Sequence, residues 1–305
     1  MNKPKDFLIL TPETWAVVRE LVAYLPRRAF RGQNDASFNL ETTIFRGANQ
    51  FGCPSNLLAN RESWMLRQFQ RRAHHYLDDP PRSEEEVEWL ALIQHYGGPT
   101  RLLDFSYSFY VAAFFAVERS VGQASVWAVN LNSLETAIRT KTKNESPNET
   151  VDQINSSHLE IVESALRGKA TQKLVVNVEP NRLNERLSIQ QGLFLFPCDI
   201  SSSFEQNLAA TFDWKAEVFE RPFEIRFAEI SADLVLSATN AMVLKIVLPR
   251  DIHKSALDDL ENTNITSTTL FPGLDGFARS MLYHLRALET DKDFERRWAR
   301  LRENP

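Results

Sequence analysis

Nine consecutive residues, Phe109-Tyr110-Val111-Ala112-Ala113-Phe114-Phe115-Ala116-Val117, carry no charge and no side-chain amide. As a helix this segment is apolar nearly all round, with no polar stripe to turn toward water, so it must be covered on every side. It is less than half as long as a membrane span, which points to a protein core. The chain has the material for one, with 43% hydrophobic residues among 305. Just before this segment stands Gln94-His95-Tyr96-Gly97-Gly98-Pro99-Thr100-Arg101-Leu102-Leu103-Asp104-Phe105-Ser106, the densest run of unusual residue types in the chain. Two glycines and a proline bend its backbone sharply. It reads as a tight connection between two helices that presents polar side chains from a stiff base, as binding and catalytic loops do.

The remaining pattern is mixed. Thr11-Pro12-Glu13 has the form of a helix start, with Trp15, Val18, Leu21, Val22 and Leu25 following at helical spacing. Residues 29–33 and 42–46 read as short extended pieces. A helix is expected over 55–77, and Ser83-Glu84-Glu85-Glu86 reads as a capping box for the helix that enters the Gly-Gly-Pro loop. Strands are expected at 124–131, 174–178, 186–197 and 242–248, the third with Gln190 and Gln191 inside it. Residues 132–153 are poor in apolar side chains and read as an exposed excursion. Helices are expected at 158–166, from about Pro249, and around Phe277, Met281 and Leu285, with a charged helix or tail at the end. Strands scattered among helices without regular alternation predict an α+β fold, a mixed or antiparallel sheet core with several packed helices.

A formal charge of −5 argues against a generally basic nucleic-acid-binding surface and leaves room only for a local patch. Cys53 and Cys198 lie far apart, which excludes a disulfide framework and fits a reducing compartment. The apolar run at 7–10 is too short for a signal-peptide core, so a cytoplasmic protein without membrane attachment is expected.

The candidate chemistry gathers on a few residues. Arg31, followed by Gly32, reads either as an anion clamp or as a buried arginine paired with Asp104; Gly32 would let a diphosphate approach the backbone. Arg101 and Asp104 can pair with each other or with Arg31, around a pocket or as a buried network that specifies the fold. His95 either caps its helix or offers a hydrogen bond, and Tyr96 either stacks on a planar ring or fills the core. Gln190 and Gln191 point to opposite sides of a regular strand, so only one faces a given pocket. An amide there can orient a hydroxyl but cannot act as a general base, and polar satisfaction at a sheet edge is the competing reading. No metal site is expected, since His74 and His75 are adjacent and no zinc spacing is present. There is no Walker loop, dinucleotide fingerprint or Gly-x-Ser-x-Gly elbow. Cys198 is a weak nucleophile candidate. The arginine pairs at 27–28, 71–72 and 296–297 read as phosphate contacts or as solvated helix faces.

Phe30-Arg31-Gly32-Gln33, the run from Gln94 to Asp104, Gln190-Gln191-Gly192 with Phe194, and Leu270-Phe271-Pro272-Gly273-Leu274-Asp275-Gly276 together resemble the FRG domain family. The resemblance spans 30–285, with a helix in 1–29 before it, the polar excursion 132–153 inside it and a charged segment 286–305 after it. It implies a fold distantly similar to ADP-ribosyltransferases, with NAD as substrate, no metal, and a protein or nucleic-acid acceptor, in a toxin or phage-defence setting. On that likeness Arg31 holds the NAD diphosphate or nicotinamide ribose, and Gln190 or Gln191 takes the late-strand position. Gly32, Gln33, His95, Tyr96, Thr100, Arg101 and Ser106 are the implied ligand-binding positions. No glutamate stands on the late strand, which leaves transferase, glycohydrolase and non-catalytic binding module open and makes Asp104 the substitute carboxylate.

Overall fold

The apolar segment is a helix, Phe109–Val117, started by Ser108, whose hydroxyl accepts from the Val111 N–H at 3.3 Å. It lies against a strand at the one place where the strand has no side chain. A Cβ on Gly32 would stand 1.9 Å from the Ala112 carbonyl oxygen and 2.7 Å from the Ala116 nitrogen. The space of a Gly32 side chain is therefore filled by helix backbone, which gives this glycine a packing role.

The computed structural model describes residues 7–143, 150–168, 172–180, 182 and 185–285. The sheet is built from β1 (Phe7–Pro12), β2 (Arg28–Gln33), β3 (Leu103–Ser106), β4 (Ala124–Asn130), β5 (Val175–Val178), β6 (Gly192–Pro197), β7 (Phe223–Phe227) and β8 (Val243–Leu248). Their spatial order is β5-β6-β3-β2-β4-β8-β1-β7. β1 runs parallel to β7 and β8, and the other pairings are antiparallel, which makes the sheet mixed and the fold α+β, as the sequence predicts.

Strand alternation divides the core in two. Leu8, Leu10, Phe30, Val126, Leu244 and Ile246 face the helices Trp15–Val22, Phe109–Val117 and His253–Asn262. Phe7, Ala29, Trp127, Val129 and Val243 face Glu86–His95, Leu131–Thr142, Val151–Leu166 and Phe204–Thr211. The apolar helix is thus buried in one of two layers that sandwich the sheet. Arg28 serves the first layer. Its guanidinium, buried and pushed down to about 10, donates to the carbonyls of Ala238 at 2.8 Å, Thr239 at 3.1 Å and Ala241 at 2.7 Å, closing the end of the Ala232–Asn240 helix. Neither reading of the 27–28 pair fits Arg28, which is sealed away from both phosphates and solvent.

Several local expectations change. Residues 11–12 belong to β1, and Thr14 caps the first helix, so 1–29, expected as a helix, also contributes a strand deep in the sheet. The extended reading of 42–46 is wrong: Thr42 is an N-cap, and Thr43–Phe51 is a helix that buries Ile44 and Ala48. The helix Glu86–His95 begins without a side-chain cap, so the Ser83 capping box does not form. Its end is a Schellman turn, with Gly97 N–H donating to Gln94 O at 2.9 Å and Gly98 N–H to Ile93 O at 2.8 Å, and Gly97 at φ 82°. The loop then enters β3 rather than a second helix directly. Much of 132–153 is helical, because Asn130 caps Leu131–Thr142 and Thr150 caps Val151–Leu166. Residues 144–149 and the expected tail at 286–305 lie outside the described residues. The run 186–197 is not one strand but a helix, Glu185–Ile189, a turn at Gln190 and Gln191, and β6.

Candidate functional site

β2 and β3 are in register only at Phe30 and Ser106. Beside that single pair Arg31 takes over as donor, its Nη1 lying 2.7 Å from the Asp104 carbonyl oxygen and 3.7 Å from the Asp104 carboxylate. A cavity of about 300 Å³ opens where the two strands part. Ala91, Gln94 and His95 line it from one helical layer, Val111, Ala112 and Phe115 from the other, and Gly192 and Phe194 from β6. The cavity therefore reaches through the sheet.

Its polar groups are unevenly satisfied. The Arg31 side chain is 18% exposed, and its Nε is buried with no hydrogen-bond partner among the described residues. Burial pushes the Arg31 pKa down, the Asp104 carboxylate counters that, and the Arg46 cation adds to it. Asp104 itself is half exposed. Arg186 lies with its guanidinium carbon 4.2 Å from the centre of the Phe271 ring, and Arg279 stacks on the same ring at 4.2 Å. Arg279 is paired with Glu118 through its Nε at 2.7 Å, whereas Arg186 has no carboxylate in ion-pair contact among the described residues. His95 is held below its usual pKa by burial and by Arg186, so at neutral pH it faces the cavity as a neutral imidazole.

Arg31, Gly32, His95, Asp104, Ser106 and Gln190 come together around this cavity. Gln190 donates from Nε2 to Leu270 O at 2.9 Å, and Ser106 Oγ donates to Gln190 O at 2.7 Å, so the two fix the turn that follows the helix carrying Arg186. Gln191 is exposed in that turn at φ 49° and is not among the residues lining the cavity. The edge-satisfaction reading fits Gln190 in part, since its amide is spent on a backbone carbonyl.

Besides Gln191, four expected site residues lie elsewhere. Arg101 is 2% exposed and sealed against Glu62, with Nε to the two carboxylate oxygens at 2.9 and 2.8 Å, and it donates to Cys198 O at 3.2 Å. Thr100 is fully buried, donating its N–H to Thr43 Oγ1 at 2.9 Å and its hydroxyl to Gln94 Oε1. Gln33 accepts from Trp127 Nε1 at 2.7 Å and donates to Asn39 O at 2.9 Å. Tyr96 is 64% exposed and neither fills the core nor lines the cavity. For these positions the fold claims the side chain or solvent surrounds it. The Cys198 thiol is pushed up to about 12 by burial, so it stays protonated and is no nucleophile. Among the described residues no group of three or more His, Cys, Asp or Glu side chains is placed to hold a metal ion, and no helix is long and apolar enough to cross a membrane.

Arg186 is the residue that sequence reasoning missed. The signal was Gly192, which begins β6. A Cβ there would stand 2.2 Å from Leu187 Cδ1, so the glycine lets the Glu185–Ile189 helix fold back onto β6 and carry Arg186 over the cavity.

The sheet of this α+β chain is thus split at a cavity flanked by two guanidinium groups, Arg31 and Arg186, that are incompletely partnered among the described residues. Residues 26–124 match the family model of the FRG domain. That segment runs from just before β2 to the first residue of β4 and so contains Arg31, His95 and Asp104; Gln190 and Arg186 lie beyond it. No curated protein and no solved structure matches the chain.

Proposed function

We propose that the cavity binds a phosphorylated nucleotide and that the chain acts on NAD as an ADP-ribosyltransferase-like enzyme. The observation that carries the reading is the convergence of Arg31, with its unpartnered Nε, and the stacked Arg186 on one hollow that also holds a half-exposed carboxylate. Two guanidinium groups supply the donors that a diphosphate needs. At about 300 Å³ the hollow is at the small end of ligand sites, so it fits one half of a dinucleotide, with the rest in the open mouth.

Cleaving the bond between ribose and nicotinamide develops positive charge on the ribose, and a carboxylate near it lowers that barrier. Asp104 takes this part. Its carbonyl oxygen, not its side chain, receives the shorter Arg31 bond, so Asp104→Asn keeps that contact. The toxin or phage-defence setting belongs to the same proposal.

A non-catalytic nucleotide-binding module is the second reading. It is favoured by Gln190, which sits in the turn before β6 rather than on the strand where the family likeness sets it, and spends its amide on Leu270 O. Incubation with NAD labelled in the nicotinamide separates the two. The enzyme reading expects nicotinamide release that Asp104→Asn abolishes without lowering Tm. Saturable binding without release leaves the module, and neither binding nor release removes the nucleotide reading.

A further inference from the structure

The Leu58–Ala73 helix carries four arginines against a single acid, Glu62, and that acid is buried on Arg101. Its inner side is Leu58, Glu62, Leu66 and Ala73. Arg61, Trp64, Arg67 and Arg71 recur three or four apart on the opposite side, all exposed. Trp64 is 60% exposed, and among the described residues none of Arg61, Arg67 and Arg71 has a carboxylate partner. In a chain of net charge −5 this is a local cationic strip with an aromatic platform inside it.

The strip leads toward the cavity. The Phe69 and Trp89 rings meet at 6.2 Å and Gln70 reaches Ser83 O at 3.1 Å, while Glu62 meets Arg101, so this helix runs antiparallel to Glu86–His95 with its start beside the cavity end. The Thr43–Phe51 helix packs on that start through Ile44, Ala48 and Leu58, and its Arg46 lies near enough to Arg31 to act on its charge.

We propose that this helix face binds single-stranded nucleic acid, with backbone phosphates on Arg61, Arg67 and Arg71 and a base stacked on Trp64. Unpaired arginines set between phosphates, with an indole that any unpaired base can cover, are the elements of sequence-tolerant single-strand binding. An acidic peptide would use the arginines and leave Trp64 idle. A membrane surface would need a broad apolar face, which this helix has already turned inward. The surface holds whether the cavity turns a nucleotide over or only binds one.

Fluorescence anisotropy of the full chain with labelled oligonucleotides of about 12 nucleotides, DNA and RNA separately and across a salt series, tests it. Saturable binding that weakens with salt is expected. Replacing Arg61, Arg67 and Arg71 together by Gln should weaken it at least about tenfold and flatten the log–log salt slope by about 2. Trp64→Ala should weaken it at least about fivefold with the slope unchanged. NAD binding should be the same in all variants, which separates this surface from the cavity. No saturable binding overturns the proposal. So does tighter binding of duplex DNA, poly-glutamate or phosphatidylserine vesicles together with an unchanged Trp64→Ala.

Discussion

Arg31 and Arg101 both lie within the segment that matches the FRG domain, both were candidates for the same pocket, and they end in opposite states. Arg101 has its carboxylate, Glu62, its carbonyl, Cys198 O, and the Phe196 ring 5.0 Å away. Arg31 has one backbone carbonyl, a carboxylate at 3.7 Å that is half in solvent, and a buried Nε with no partner among the described residues. Among the described residues each guanidinium nitrogen of Arg101 has a partner and the group serves the fold, whereas Arg31 keeps an unsatisfied Nε beside the cavity. Arg186, stacked but without an ion-pair partner among the described residues, falls with Arg31.

The largest expected effect is on the sealed side. Glu62→Gln leaves Arg101 buried without a counter-charge and should cost about 3–5 kcal/mol in denaturant unfolding. An equal loss for Arg31→Gln would erase the contrast between the two arginines. Gly32→Ala, which drives a methyl group into the Ala112 carbonyl, should cost about 3 kcal/mol, and any loss of NAD binding in it should track the loss of fold.

A smaller effect belongs to a carboxylate beside neither arginine. Burial pushes Glu41 up to about 7 from 4.5, against the pull of the Thr42 and Phe204 N–H groups at 2.9 and 3.3 Å. A raised folded-state pKa means that the contribution is whole below pH 4.5 and is lost as pH rises toward 7. Glu41→Gln keeps the acceptor oxygen and removes the titration, so it should gain about 1–2 kcal/mol near pH 8 and nothing near pH 4. The smallest stability effect is Arg186→Ala, about 1 kcal/mol at most, since only a stacking contact is lost.

The sequence showed the candidate site better than the elements that build it. Arg31, His95, Asp104 and Gln190 were legible because each sits in a short unusual motif, and the turn at Gly97 and Gly98 because glycine pairs there have few uses. Arg101 and Thr100 shared the same motif but could not be told from site residues, since their partners Glu62 and Thr43 are 39 and 57 positions away. The 42–46 error shows tertiary packing overriding β-propensity: two threonines and an isoleucine look extended until Ile44 and Ala48 are seen to be buried on one helix face. Arg186 was hidden because the apolar run at 193–196 lent its strand character to the residues before it. β1, β3 and β7 are four to six residues long, too short to stand out by alternation.

Calorimetric titration of the intact chain with NAD, wild type beside Arg186→Ala, tests the central claim most directly. Saturable binding by the wild type, weakened at least about tenfold in the variant with Tm nearly unchanged, is the expected result. Equal affinity in the two proteins, or no binding by either, would contradict it.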